Sequence, residues 1–162
     1  MVGQGALRAC LRDPEVEQVV SIVRAPTGTT HEKLREIVHN NFLNFAPIEN
    51  ALSGRSPCLY CLGVKSTGTS EENYTRITYE FTIAAATTLL RLNPRMPFVF
   101  VSGAHSTERG STMWARFKDK TENTLLAMLF GSIYVFRPAM IQPLDGISPK
   151  QQGSRRDSRG TK

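Results

Sequence analysis

Phe98, Val99, Phe100 and Val101 form an uninterrupted apolar run of β-branched and aromatic residues. A strand with one wet face alternates apolar and polar residues, and this run does not, so it belongs in a sheet covered on both sides. Further strand-like stretches occur at Val19–Val23, 58–62 and 133–136, and at Leu34–Val38, which carries Arg35 and Glu36. Helical patterns separate most of them, at 2–11, 70–92 and 113–129, with a short helix inside 42–52. Ser70 with Asn73 opens the long helix, Asn93-Pro94 stops it, Asp13-Pro14 ends the first, and Gly54 caps the short one. Strands that alternate with helices predict a doubly wound parallel α/β sheet. The link between the two strands before Asn41 contains no clear helix. The first element is also a helix, where a doubly wound fold starts with a strand.

Composition fits one soluble domain of 162 residues, 40% hydrophobic and 21% charged. Of the net charge of +6, half lies in residues 151–162, which hold four basic residues and one acid. That segment has no apolar periodicity, so 149–162 is expected to be a disordered basic tail behind a domain spanning 1–148. The remaining charge is too small for a nucleic-acid footprint. No run reaches the roughly 18 apolar residues of a membrane span. The three cysteines, without a secretion signal, point to free thiols in a reducing, cytoplasmic setting.

The residues after the strands carry the chemistry. Residues 97–118 run from a buried strand through Ser102-Gly103 into a helix presenting Trp114 and, four residues on, Lys118. That spacing is one helical turn, so the two side chains share a face. Arg24 follows the second apolar element, and Gly63 follows the strand with Cys58 and Cys61. Those two cysteines lie three residues apart, point to opposite faces of a strand and have no second ligand pair, so they read as core thiols rather than a metal site. The three histidines show no ligand spacing, although His105 lies in the loop after Ser102.

Taken in order, Val2-Gly3-Gln4-Gly5 before a helix, Arg24, Cys61-Leu62-Gly63, Val101-Ser102-Gly103, the Trp114 to Lys118 segment and Phe136-Arg137-Pro138 resemble a known family. The chain is similar to atypical short-chain dehydrogenase/reductases, in the NAD(P)-dependent epimerase/dehydratase superfamily, over roughly residues 1–148. The resemblance implies a Rossmann-like doubly wound parallel sheet lacking its first central strand. It also implies a dinucleotide cofactor, and a small-molecule substrate with no nucleic-acid or membrane partner. Of the family's Gly-x-x-Gly-x-x-Gly fingerprint only Gly3 remains. The first strand would lie between the second and fourth, so its loss predicts a sheet parted in two with apolar edges exposed. On this reading the chain is a truncated or late-started form of a longer enzyme, poorly stable alone.

By the same resemblance Lys118 binds the nicotinamide ribose, and Trp114 occupies the proton-donor position, usually tyrosine. An indole N–H donates hydrogen bonds but is no general acid near neutral pH. Ser102 falls where a substrate-orienting hydroxyl is placed, with Ala104 and Ser106 as competing positions. Arg24 suits the 2′-phosphate of NADP better than the 2′-hydroxyl of NAD. Asn41 falls near the adenine, and Gly63 permits close cofactor approach. Each has a plain reading too: a core tryptophan beside a solvated lysine, a strand-end serine, an exposed turn arginine, a turn glycine. The expectation is an NAD(P)-binding oxidoreductase or epimerase-like protein, against a non-catalytic dinucleotide-binding regulatory module or an inactive fragment.

Overall fold

In a computed structural model of the protein, which describes residues 2–103, 112–139 and 141, helices and parallel strands follow one another. Helix α1 (Val2–Arg12) precedes strands β1 (Val19–Val23) and β2 (Leu34–Val38). A 3-10 turn (Ala46–Ile48) leads into α2 (Glu49–Leu52) and β3 (Cys58–Tyr60). Then come α3 (Glu71–Thr75), a π turn (Arg76–Glu80), α4 (Phe81–Leu92), β4 (Pro97–Val101), α5 (Met113–Leu126) and β5 (Ser132–Phe136). Residues Ala104, His105 and Ser106 and the tail 149–162 lie outside the described residues.

The expected α/β architecture is present, and so is the parting of the sheet. β1 pairs with β2 in parallel, Val19 opposite Leu34 and Val23 opposite Val38. β3, β4 and β5 form a second parallel sheet with β4 in the middle, aligning Tyr60, Phe100 and Val135. Among the described residues no strand joins β1 to β3. In a doubly wound order this is the place of the central strand.

Packing follows strand parity. Cys58, Tyr60, Phe98, Phe100, Ile133 and Val135 share one face of the larger sheet and join the core with Ala85, Ala86, Leu89 and Leu125 of the covering helices. Phe98, Phe100 and Leu125 are fully buried. The other face departs from expectation. Leu59, Tyr134 and Phe136 point that way and are exposed, so among the described residues the larger sheet is covered on one face only.

The helix expected at 70–92 starts where its cap predicts, with Ser70 Oγ accepting from Asn73 N at 3.3 Å. It is interrupted by the π turn, where the Phe81 amide bonds Arg76 O five residues back. The Thr78 carbonyl accepts from Thr82 Oγ1 at 2.7 Å and Thr121 Oγ1 at 3.5 Å, and such hydroxyls compete with the helix ladder. Gly54 has φ +68, the left-handed conformation glycine adopts after a helix. Cys10, Cys58 and Cys61 are free thiols, and burial pushes Cys58 up to about 12. No cluster of metal-ligating side chains exists among the described residues. No helix there is long and apolar enough to cross a membrane.

Candidate functional site

The chain leaves β1 at Arg24 and β3 at Cys61, Leu62 and Gly63, and these two exits face each other across a cleft. The cleft, about 90 Å³, is lined by Arg24, Phe42, Leu62, Gly63 and Phe81. Its floor is aromatic: the Phe42 and Phe81 rings stack at 5.7 Å, and Phe45 meets Phe42 edge-on at 6.0 Å. The loop carrying Phe42 is tied down by buried His39, whose Nε2 lies 2.8 Å from Asn41 O and 2.9 Å from Asn44 O. Two carbonyl acceptors mean that Nε2 carries the proton.

Arg24 is exposed, and no hydrogen bond or ion pair engages it among the described residues. A guanidinium uncommitted beside an apolar cleft fits an anionic group on a planar, largely apolar ligand. Gly3 lies in the first turn of α1, and a Cβ there would stand 3.4 Å from Cys61 Cβ. The start of α1 therefore rests on the chain leaving β3, one residue pair from Gly63. Asn41 is exposed, and its Oδ1 accepts from Leu43 N at 3.2 Å, so its amide is used to shape its own turn. The structure brings Arg24, Gly63 and Gly3 to the ends of β1 and β3, with Asn41 outside the cleft lining.

The second group forms at the end of β4. Ser102 N donates to Phe136 O at 2.7 Å, extending the β4–β5 ladder one residue past the strand. Helix α5 lays Trp114, Lys118 and Glu122 along one side at steps of four. Trp114 is half-buried. The Lys118 ammonium donates to Val101 O at 3.0 Å and lies 4.7 Å from the Phe100 ring centre. Burial pulls its pKa down to about 8, and Glu122 opposes that shift. Lys118 commits one of its three N–H donors to the strand, which leaves the others for a ligand.

Sequence reasoning missed Glu122. It is 1% exposed, its Oε1 accepts from Ser102 Oγ, and its Oε2 accepts from Arg137 Nε at 2.9 Å and from Arg137 Nη2. The signal was the continued four-residue spacing from Lys118 and the arginine directly after β5. A carboxylate on a helix with Arg116, Lys118 and Lys120 reads as a solvated partner until its burial is known.

No protein-family model matches the chain, and neither does any curated protein sequence. Solved structures do share its fold. One is MoeE5 in complex with UDP-glucuronic acid and NAD, at 20% identity and TM-score 0.61, with 83% of this chain and 48% of that one covered. Another is the Bordetella bronchiseptica enzyme WbmG in complex with NAD and UDP, at 12% identity and TM-score 0.63, covering 85% and 49%. A third is a double mutant of DesIV, a dTDP-glucose 4,6-dehydratase from Streptomyces venezuelae with NAD and DAU bound, at 13% identity and TM-score 0.56, covering 75% and 45%. The chain spans about half the length of each. At these identities the likeness is one of fold: the chain has a Rossmann-like α/β fold, as these three structures do.

Proposed function

We propose that the protein binds a nicotinamide dinucleotide and acts as an oxidoreductase of the reductase or epimerase type. The observation that carries this reading is the cleft between the exits of β1 and β3, where Arg24 and Gly63 meet in a fold whose solved neighbours hold NAD. Arg24 stands free to pair with a 2′-phosphate, which favours NADP over NAD. Gly3 and Gly63 keep side chains away from the backbone around the pyrophosphate, and the start of α1 offers amides to it. At the other end Lys118 holds the ribose hydroxyls, and Ser102 orients a small-molecule substrate. A bound nicotinamide supplies or accepts the hydride.

A second reading has its own support. Trp114 stands where the resemblance places the proton donor, and an indole cannot take that part. A dinucleotide-binding regulatory module without turnover fits that substitution.

Titration of NADPH and NADH into the protein, followed by nicotinamide fluorescence, tests binding. NADPH should bind more tightly, and Arg24→Ala should remove that preference, costing about 10-fold or more for the loss of a charge-assisted hydrogen bond. Lys118→Ala should weaken both cofactors alike. Binding of neither cofactor, with an Arg24→Ala titration that looks the same, refutes the proposal. Hydride transfer to carbonyl substrates by the protein that binds NADPH separates the enzyme from the regulatory module.

A further inference from the structure

Glu122 is the only carboxylate among the buried residues of the described chain. A carboxylate leaves water at a large cost unless charges and hydrogen bonds replace the hydration it loses. Here they do: Arg137 grips Oε2 through two nitrogens from the end of β5, and Ser102 donates to Oε1 from the end of β4. A staple between α5 and β5 needs only the arginine, and an apolar pair would hold those elements as well. The second oxygen instead goes to a site hydroxyl. One turn earlier on the same helix, Lys118 grips Val101, the residue before Ser102. Anion and cation thus hold neighbouring residues at one strand end.

We propose that Glu122 is a positioning residue of the candidate site: clamped by Arg137, it fixes the Ser102 hydroxyl at the strand end that Lys118, one turn earlier on the same helix, also holds. This rests on the reading of Lys118 and Ser102 as ligand-facing groups, but its test needs no dinucleotide. The other charged or titratable groups on the elements packed around Lys118 are Arg116, Asp119 and Lys120 on its own helix, Glu71, Glu72 and Tyr74 of α3, Arg76, Tyr79 and Glu80 of the π turn, Arg91 of α4, and Tyr134 and Arg137 at β5; Tyr74 packs on Phe117 and Tyr79 lies under Lys120. Asp119 acts on Arg137 rather than on the lysine. Glu122 is the anion that counteracts the desolvation of Lys118. Removing it should make Lys118 lose its proton more readily. Removing Arg137 takes away a competing cation, so Lys118 should hold its proton more firmly.

Competitive acetylation of the full chain across pH, with peptides quantified by mass spectrometry, reads the half-reaction pH of Lys118 against Lys33, Lys65 and Lys120. Glu122→Gln should lower it and Arg137→Gln should raise it, each by about one pH unit for a close charge. Glu122→Asp should restore most of the parent value. A merely structural role would loosen the site in both variants and move Lys118 toward ordinary lysine in both. Shifts of the same sign, or none, overturn the proposal. If Glu122→Gln loses its far-UV circular dichroism, Arg137→Gln decides. A rise in a variant that keeps its helix signal, with the half-reaction pH still below that of the other lysines, supports the proposal; an unchanged value overturns it.

Discussion

A strand supplied between β1 and β3 should join the two sheets into one. The perturbation is an N-terminal extension of about six β-branched apolar residues, a typical strand length, followed by Gly-x-x-Gly directly before Met1, so that Gly3 completes the glycine spacing. β1 offers a five-residue edge and β3 a three-residue edge, so an inserted parallel strand gains ladder bonds on both sides. At about 1 kcal/mol net per hydrogen bond, that gain roughly offsets the ordering entropy of about 1–2 kcal/mol per added residue. What remains is burial of the inserted side chains, at about 1.5–3 kcal/mol each. The net gain is on the order of 10 kcal/mol, comparable to the whole stability of a domain. Urea titration followed by far-UV circular dichroism and Trp114 fluorescence measures it. With a slope of about 1–3 kcal/mol/M, the midpoint should rise by about 3 M or more. An extension with proline at its centre, which cannot complete the ladder, should give little. A cooperative transition of residues 1–162 alone at a midpoint equal to that of the extended chain would refute the reasoning.

Two further predictions concern single residues. Lys118 titrates at about 8 in the folded chain, below the roughly 10.4 of an unfolded lysine. The unfolded state therefore holds the extra proton between those values, and stability rises with pH across that window. Lys118→Met should gain stability relative to the parent at pH 7, and the difference should narrow by about pH 10; denaturation curves at both pH values that differ by the same amount would contradict this. At Gly131 an added Cβ would stand 2.5 Å from Arg95 O, a contact between two backbones that no side chain can relieve. Gly131→Ala should cost about 1–3 kcal/mol, and an unchanged Tm would show that the chain yields there freely.

Much of the fold could be read in the residues because it depends on local patterns. The uninterrupted apolar run before Ser102 places β4 at the centre of its sheet, and Ser70, Asn93 and Gly54 mark helix ends by their own chemistry. The parting of the sheet could be expected from the resemblance, which places a strand between β1 and β3. The open face was not. Tyr134 and Phe136 are as apolar as residues that find cover, and which of two faces receives a helix depends on segments distant in sequence. At the π turn Thr121 reaches the Thr78 carbonyl from another helix, and the burial of Glu122 rests on an arginine fifteen residues later. Trp114 and Lys118 could be named from spacing, and Arg24 and Gly63 from the resemblance, whereas the partners of Lys118 had to be seen.

The parted sheet also bears on how the molecule comes undone. With no backbone rung shared between the two ladders among the described residues, cohesion between them there falls to side chains such as Ile22 against the core, and to Arg55 Nη1 donating to Gln18 Oε1 at 2.5 Å. Such contacts are few, and a weakly coupled pair of ladders opens in separate units. The β1–β2 pair, none of whose strand residues is fully buried, can then exchange its amides and open while β4, held on both sides, stays closed. A ligand touching Arg24 on one unit and Lys118 on the other would do mechanical as well as chemical work. By linkage it would make two cooperative units behave as one.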